Sequence, residues 1–178
     1  MALPILNVPK YELTVPSTGN KIQYRPFLVK EEKILLMAAE GEDKKSIVTA
    51  IVQIITNCVI GTVDIEKLTT YDLEYIFLKL RARSVGESSE LRYICQKTIK
   101  GKKGEKGDKT CGSDITTSVD LSSIEVNRPD NHTTHVSLID NIGIVFKDPP
   151  MSLLEFVILP GAEIDNVDMV VACIDYIY

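Results

Sequence analysis

The sequence predicts an α+β fold in a single domain of 178 residues. A short alternating hairpin comes first, and three helical patterns with apolar residues every three to four positions follow it. A central stretch then alternates between apolar and polar residues, as the strands of a small antiparallel sheet do. Two further helical patterns close the chain. We therefore expect a hairpin with helices over residues 1–86, a β subdomain over 87–148 and C-terminal helices over 149–178.

The N-terminal hairpin is predicted from alternation on both sides of a turn. Residues 16–20 contain Pro, Ser, Thr, Gly and Asn, which are typical of a hairpin loop. Pro26 lacks a backbone N–H and restrains Arg25 to an extended backbone, so the second strand should end there. The apolar positions expected on one face of the hairpin are Tyr11, Leu13, Val15, Ile22 and Tyr24.

Local signals bound the three helices that follow. The first is expected from Lys30 to about Glu40, with Gly41 ending it. Asp43 has the position of an N-cap for the second helix, while Thr69 and Asp72 have the spacing of a capping box for the third. The stripe expected to form the main core consists of Ile47, Ile51, Ile54, Leu73, Ile76, Phe77 and Leu80.

The second half of the chain is predicted as strands and then helices. Four stretches have strand-like composition or alternation, namely 91–99, 115–121, 134–138 and 142–146. Ser152 and Glu155 have capping-box spacing for a fourth helix, and Asp165 or Asn166 should cap a fifth. The apolar stripe of that last helix is still running at Tyr178, so we expect the natural chain to continue beyond it.

Composition excludes several classes of protein. A net charge of −5 and an isoelectric point near 5.1 argue against a nucleic-acid-binding protein. No apolar run approaches the roughly 18 residues that a membrane-spanning helix needs, and the N-terminus lacks the pattern of a secretory signal. The four cysteines are widely and irregularly spaced, which favours a reduced, intracellular setting.

Residues 97–109 form a low-complexity stretch that contains six lysines and a glycine at every third position from 101 to 107. We interpret it as a mobile, solvated hairpin tip. The alternative is a basic contact for a phosphate group or an acidic partner.

Two cysteines and two histidines raise the alternative of a zinc-supported adaptor module that binds an acidic partner. Cys95 and Cys111 flank the lysine-rich stretch, and His132 and His135 could complete a ligand set. Structural zinc sites normally supply local CxxC pairs, which the sequence lacks. Residues three apart on a strand also point to opposite faces, so the histidines should not converge. We therefore expect unliganded cysteines, exposed histidines and no metal.

No pattern typical of an enzyme is present. Glu31 and Glu32 are adjacent carboxylates, but acid–base catalysis needs a shared, partly buried pocket. At the first turn of a helix they are more typical of favourable interaction with its N-terminal dipole. The sequence contains neither a glycine-rich phosphate loop nor a Gly-x-Ser-x-Gly elbow. We expect no catalysis and no cofactor.

The residues that span the hairpin and the first helix carry a family resemblance. Residues 13–19 (LTVPSTG) and 24–33 (YRPFLVKEEK) resemble the N-terminal region of the baseplate hub proteins of T4-type contractile-tailed bacteriophages. Shorter stretches support the resemblance: IITNC at 54–58, DLEYIF at 72–77, LRARS at 80–84, VDL at 119–121 and CID at 173–175. Residues 97–109 look like an insertion relative to this family.

The resemblance implies a non-enzymatic structural or assembly protein of the tail baseplate. Its partners would be other tail and baseplate proteins in the host cytoplasm, with no nucleic acid, membrane or cofactor involved. The resemblance leaves open whether the protein forms a homo-oligomer and whether it stays in the virion tail.

A protein that assembles baseplates needs a surface for its partners, and the hairpin–helix junction is the candidate. Its predicted partner-binding residues are Arg25, Pro26, Phe27, Leu28 and Glu31. Arg25 offers a bidentate fork for a carboxylate, and aromatic and arginine side chains are frequent interface anchors. We expect Arg25 and Glu31 to be exposed. The alternative is that Phe27 and Leu28 pack the junction onto the core.

Overall fold

A computed structural model describes residues 8–41, 44–61, 63–99, 109–139, 141–154 and 165–178. Four α-helices lie within these ranges: α1 (Val29–Glu40), α2 (Lys44–Cys58), α3 (Thr70–Ser84) and α4 (Asn166–Ala172). The strands are β1 (Tyr11–Thr14), β2 (Lys21–Tyr24), β3 (Val59–Ile60), β4 (Ser88–Ile94), β5 (Thr98–Ile99), β6 (Lys109–Thr110), β7 (Asp114–Asp120), β8 (His135–Ile139), β9 (Ile142–Phe146) and β10 (Ile174–Ile177). Short 3-10 helices occur at Ile65–Lys67 and Met151–Leu153. The α+β prediction is confirmed.

The N-terminal hairpin forms as predicted and is extended by one short strand. β1 pairs antiparallel with β2, and β3 adds to the other edge of β2. The turn is closed by hydrogen bonds from the Val15 N–H to the Asn20 carbonyl and from the Gly19 N–H to the Val15 carbonyl, each 2.8 Å. Gly19 has φ of +71° there, a conformation that glycine adopts without strain.

The main core lies between this sheet and helices α1–α3. The predicted stripe contributes most of it, because Ile51, Ile54, Leu73, Ile76 and Leu80 are all buried. Ile47 and Phe77 also pack against the core but are only partly buried. Leu154 reaches the same core from the C-terminal half and is fully buried. Helix ends also follow the prediction, since α1 ends before Gly41 and Thr69 caps α3.

The prediction of a single strand over residues 91–99 is wrong, because two separate strands form there. β4 ends at Ile94 and pairs with β7, while the short β5 pairs with β6. Between them the ladder is interrupted at Gly112, which has φ of +67°. Here the Cys95 N–H donates to the Ser113 carbonyl, whereas the Cys95 carbonyl accepts from the Gly112 N–H, an arrangement typical of a β-bulge. Residues 100–108 of the predicted mobile loop lie outside the described residues.

The prediction that the last helix continues to Tyr178 is also wrong. α4 is capped by Asp165 as expected but ends at Ala172, and β10 then pairs antiparallel with β9. The residues of β10 are β-branched or aromatic at three of four positions, and such residues fit a pleated sheet well. At Gly143 of β9 an added Cβ would lie 2.6 Å from the Tyr178 ring, so a larger residue there would have to displace this ring.

Two further predictions fall partly or wholly outside the described residues. The N-cap at Asp43 is one, and most of the helix predicted to begin at Ser152 is another, because residues 155–164 are not described. The division of the chain at residues 86 and 148 stays a prediction.

No described helix has both the length and the apolar character needed to cross a membrane.

Candidate partner-binding junction

Arg25 joins the end of β2 to the start of α1 and to the end of α2. One of its guanidinium nitrogens, Nη2, lies 2.9 Å from Glu31 Oε1 and 3.1 Å from the carbonyl oxygen of Asn57. The other, Nη1, donates to the Pro26 carbonyl at 3.0 Å. The Arg25 backbone N–H donates to the Cys58 carbonyl, also at 3.0 Å. The side chain therefore connects three elements of the N-terminal unit.

Glu31 is buried, so the expectation that it is exposed is wrong. Only 3% of its surface is accessible to solvent. Its second carboxylate oxygen, Oε2, accepts a hydrogen bond of 2.9 Å from the Leu28 N–H, which satisfies a donor before the first turn of α1. Burial by itself raises the pKa of the Glu31 carboxyl. The bonds from Arg25 and Leu28, with the positive charge of Arg25, outweigh burial and lower that pKa.

Arg25 is half-buried rather than exposed, because its guanidinium is held in place by the Glu31 carboxylate. Pro26 is buried. Phe27 is buried within the main core, and its N–H donates to Ser84 Oγ at 3.0 Å. Phe27 thus packs the hairpin–helix junction onto the core, which is the predicted alternative to an exposed partner-binding side chain. A partner-binding role for Arg25, Pro26, Phe27, Leu28 and Glu31 stays a prediction.

A second polar network links the hairpin loop to the N-terminus of α3. The Asp72 carboxylate is fully buried. It accepts hydrogen bonds from the Ser17 N–H at 2.9 Å and from the Thr69 N–H at 3.0 Å, and from the hydroxyls of both residues. The capping-box spacing predicts the contact with Thr69. No local pattern predicts Ser17, which lies 55 positions away in the sequence.

Helix α1 presents an exposed apolar face beside the junction. Val29 is 79% exposed and Met37 is 63% exposed, and Leu36 lies exposed between them on the same side of the helix. These residues were not singled out as candidate site residues. The helical period predicts that Met37 shares the apolar stripe of α1 with Ile34, Leu35 and Ala38, but only the last three are half-buried and Met37 is exposed.

A larger apolar surface lies on one face of the sheet formed by β8, β9 and β10. Cross-strand partners share a face, and the register pairs Val136 with Ile144, Ile144 with Ile177 and Ile139 with Ile142. Four of its side chains are exposed, with fractions from 41% at Val136 to 69% at Ile139, and the three at its centre and edge, Ile144, Phe146 and Ile174, are half-buried. The face is formed by Val136, Ile139, Ile142, Ile144, Phe146, Ile174 and Ile177, none of which is charged.

The residues of the zinc alternative do not assemble into a site. His132 and His135 are both exposed. Across the ranges that the structure describes, no group of three or more His, Cys, Asp or Glu side chains is placed to hold a metal ion. The four cysteines are free, and burial raises the pKa of the Cys58 thiol to about 11. The described residues therefore give the zinc-supported adaptor no ligand set.

Replacing Glu31 should make the stability of the protein less dependent on acid pH. Because folding lowers the pKa of Glu31, the carboxylate stabilises the fold above the unfolded-state pKa of about 4.3, and this contribution is lost as the pH falls through the folded-state pKa. Glu31→Gln should therefore cost about 2 kcal/mol at pH 7 and less at pH 3. Urea unfolding of the wild-type protein and the variant measures this cost at pH 7 and at pH 3.

The matched control is Glu32→Gln, which removes the same charge from an exposed neighbour. It should change the free energy of unfolding by about 0.5 kcal/mol or less at either pH. A cost for Glu31→Gln that is equal at pH 7 and pH 3 would contradict the role assigned to the carboxylate.

Comparison with known proteins gives one match. A protein-family model described as "T4 bacteriophage base plate protein" matches residues 8–178. No curated protein and no solved structure matches the chain significantly.

Proposed function

The chain belongs to the T4 bacteriophage base plate protein family, and from this premise we propose that it is a non-enzymatic structural or assembly component of the baseplate hub. It acts through contacts with other tail and baseplate proteins. Those contacts form in the host cytoplasm during assembly and persist in the tail baseplate. The hub position is supported by the resemblance of residues 13–19 and 24–33 to hub proteins.

The observation that carries this proposal is the uncharged apolar face of the β8–β9–β10 sheet. Exposed contiguous apolar surfaces of this kind are typical of sites where proteins associate. The chain has a net charge of −5, yet this face places seven apolar side chains side by side with no charged residue among them. The buried centre of a protein–protein interface is likewise depleted of charged residues.

The hairpin–helix junction supports a second contact with a partner protein, because its buried residues fix the position of the exposed face of α1. Arg25 and Glu31 fix the direction in which α1 leaves the hairpin, because their ion pair joins β2 to the first turn of the helix. The exposed face of α1, with Val29, Leu36 and Met37, then offers the apolar side chains for a partner. Alanine substitution of Arg25 and Glu31 would disturb folding as well as binding, so the α1 face is the better place to test this contact.

The experiment that tests the proposal places charges on the sheet face. Phage carrying Ile142→Glu with Ile177→Glu should assemble at least tenfold fewer complete tails, because a buried unpaired carboxylate strongly opposes association. Ser137→Glu is the matched control, since Ser137 is exposed on the opposite face of the same sheet. Assembled tails are counted by electron microscopy, and melting curves of the purified variants check their folding.

Normal tail assembly by a folded Ile142→Glu, Ile177→Glu variant would show that this face is not a partner surface. Leu36→Glu with Met37→Glu, made in the same way, tests the α1 face independently. Fractionation of infected cells then tests the hub position: the protein should sediment with baseplate intermediates and with mature particles. Recovery from neither fraction would rule out the proposed role.

A further inference from the structure

Two cysteines lie next to each other where the β4–β7 ribbon meets the β5–β6 pair. The Cys95 N–H donates to the Ser113 carbonyl at 2.9 Å, and the Cys111 N–H donates to the Lys97 carbonyl at 2.8 Å. Cys95 is thus opposite Ser113. Cys111 lies two residues before Ser113 in the chain, and its sulfur reaches back to the Ser113 side chain.

The bulge at Gly112 bonds the backbone beside Cys111 directly to Cys95. The Gly112 N–H reaches the Cys95 carbonyl at 3.0 Å, and this bond draws Gly112 toward Cys95. Cys95 is paired with Ser113, and the Ser113 hydroxyl oxygen lies 3.1 Å from Cys111 Sγ, so both cysteines border the same residue. Cysteines that are neighbours across paired strands can form a disulfide without a large backbone movement.

Cys111 has the surroundings of a reactive thiol. Cys111 Sγ lies 3.1 Å from the Ser113 hydroxyl oxygen. The pKa of the Cys111 thiol is lowered, first by that hydroxyl, then by the Ser113 backbone and by Cys95. Cys95 and Cys111 are both partly exposed, whereas Cys58 is buried in the core. A thiolate is the nucleophile in thiol–disulfide exchange, so Cys111 is the better attacking group.

We propose that Cys95 and Cys111 form a redox-active dithiol, which a low-molecular-weight disulfide such as oxidised glutathione converts to an intramolecular disulfide. The Cys111 thiolate attacks one sulfur of oxidised glutathione and releases one glutathione thiolate. The Cys95 thiolate then attacks the Cys111 sulfur of the mixed disulfide and releases the second. The two thiols lose two protons and two electrons in total, and one glutathione disulfide becomes two glutathione thiols.

The bond would close the base of the lysine-rich stretch covalently. A crosslink around a segment of this length constrains the unfolded chain and should raise the melting temperature by about 5 °C. The pair would stay reduced in the cytoplasm, where thiols are kept reduced, and oxidise once particles leave the cell. That timing rests on the proposed function, whereas the chemistry of the pair does not.

The purified full-length chain, treated with oxidised glutathione and then alkylated, tests the dithiol. We expect the oxidised protein to be lighter by two hydrogens before alkylation, with one proteolytic peptide pair linking Cys95 to Cys111 and a melting temperature raised by about 5 °C. Cys173→Ser is the matched control and should leave the crosslink unchanged. Cys111→Ser should abolish both the crosslink and the shift, while melting at the temperature of the reduced protein.

Three results would overturn the proposal. One is stable separate glutathionylation of Cys95 and Cys111, which would mean that the sulfur atoms do not reach each other. Another is a disulfide that involves Cys173. The third is a crosslink between two chains. Each is read from the same mass spectra, and none bears on tail assembly, so failure here leaves the proposed function standing.

Discussion

Asp72→Ala should lower the free energy of unfolding by about 3 kcal/mol. The substitution removes a fully buried carboxylate and leaves the N–H groups of Ser17 and Thr69 without their acceptor. Hydrogen bonds to a charged group contribute about 1.5–3 kcal/mol each, and loss of a helix cap costs about 1 kcal/mol. These contributions are not independent, which keeps the total below their sum. Chemical denaturation of the purified variant measures the change.

The control for this prediction is Asp168→Ala. Asp168 also lies in the first turn of a helix, α4, but its side chain is exposed. The control removes the same charge and should change stability by about 0.5 kcal/mol or less. Ser17→Ala should fall between the two variants, because it removes one hydroxyl donor and keeps the backbone N–H. Equal costs for Asp72→Ala and Asp168→Ala would refute the structural role of the buried carboxylate.

Ile54→Ala should be at least as damaging, with an expected cost of about 4 kcal/mol. Ile54 is completely buried in α2, and truncating a buried isoleucine to alanine costs about 2–5 kcal/mol, with the upper part of the range where the cavity cannot collapse. Phe77→Ala should cost less, about 2 kcal/mol, because Phe77 is only partly buried and full burial is the condition for a larger cost.

Leu36→Ala is the matched control for the core substitutions. Leu36 is an aliphatic helical residue like Ile54, but 58% of its surface is exposed. Its truncation should change the free energy of unfolding by about 0.5 kcal/mol or less. If Phe77→Ala proves more costly than Ile54→Ala, the full burial of Ile54 and the partial burial of Phe77 are wrong.

The elements that the sequence predicted well are those with short-range causes. Gly41 ends α1, and Thr69 caps α3, because each acts on backbone groups within one helical turn. The buried stripe of α2 and α3 follows from the 3.6-residue period, which does not depend on what packs against it. The family resemblance likewise rested on contiguous residues, and the match over residues 8–178 confirmed the baseplate family.

The errors came from contacts that join distant parts of the chain. The stripe from Val167 to Tyr178 fits a helix by period, yet Ile174–Ile177 is a strand because β9 offers an edge to pair with. Tertiary pairing of this kind overrides intrinsic helix propensity. That propensity is weak for β-branched and aromatic residues. Cys95 similarly interrupts the predicted strand because of a bulge whose glycine lies 17 positions along the chain.

The sequence by itself determined the fold class, the hairpin, the helical core and the family. Only the tertiary structure decided the environment of the candidate residues. A charged side chain such as Glu31 is expected at the surface unless a partner compensates its desolvation. Here that partner is Arg25, which directly follows β2 and is fixed by the packing of the hairpin on α2. The same holds for Asp72, whose burial depends on Ser17 in the hairpin loop. Burial of a charge is a property of the assembled environment, and no local pattern encodes it.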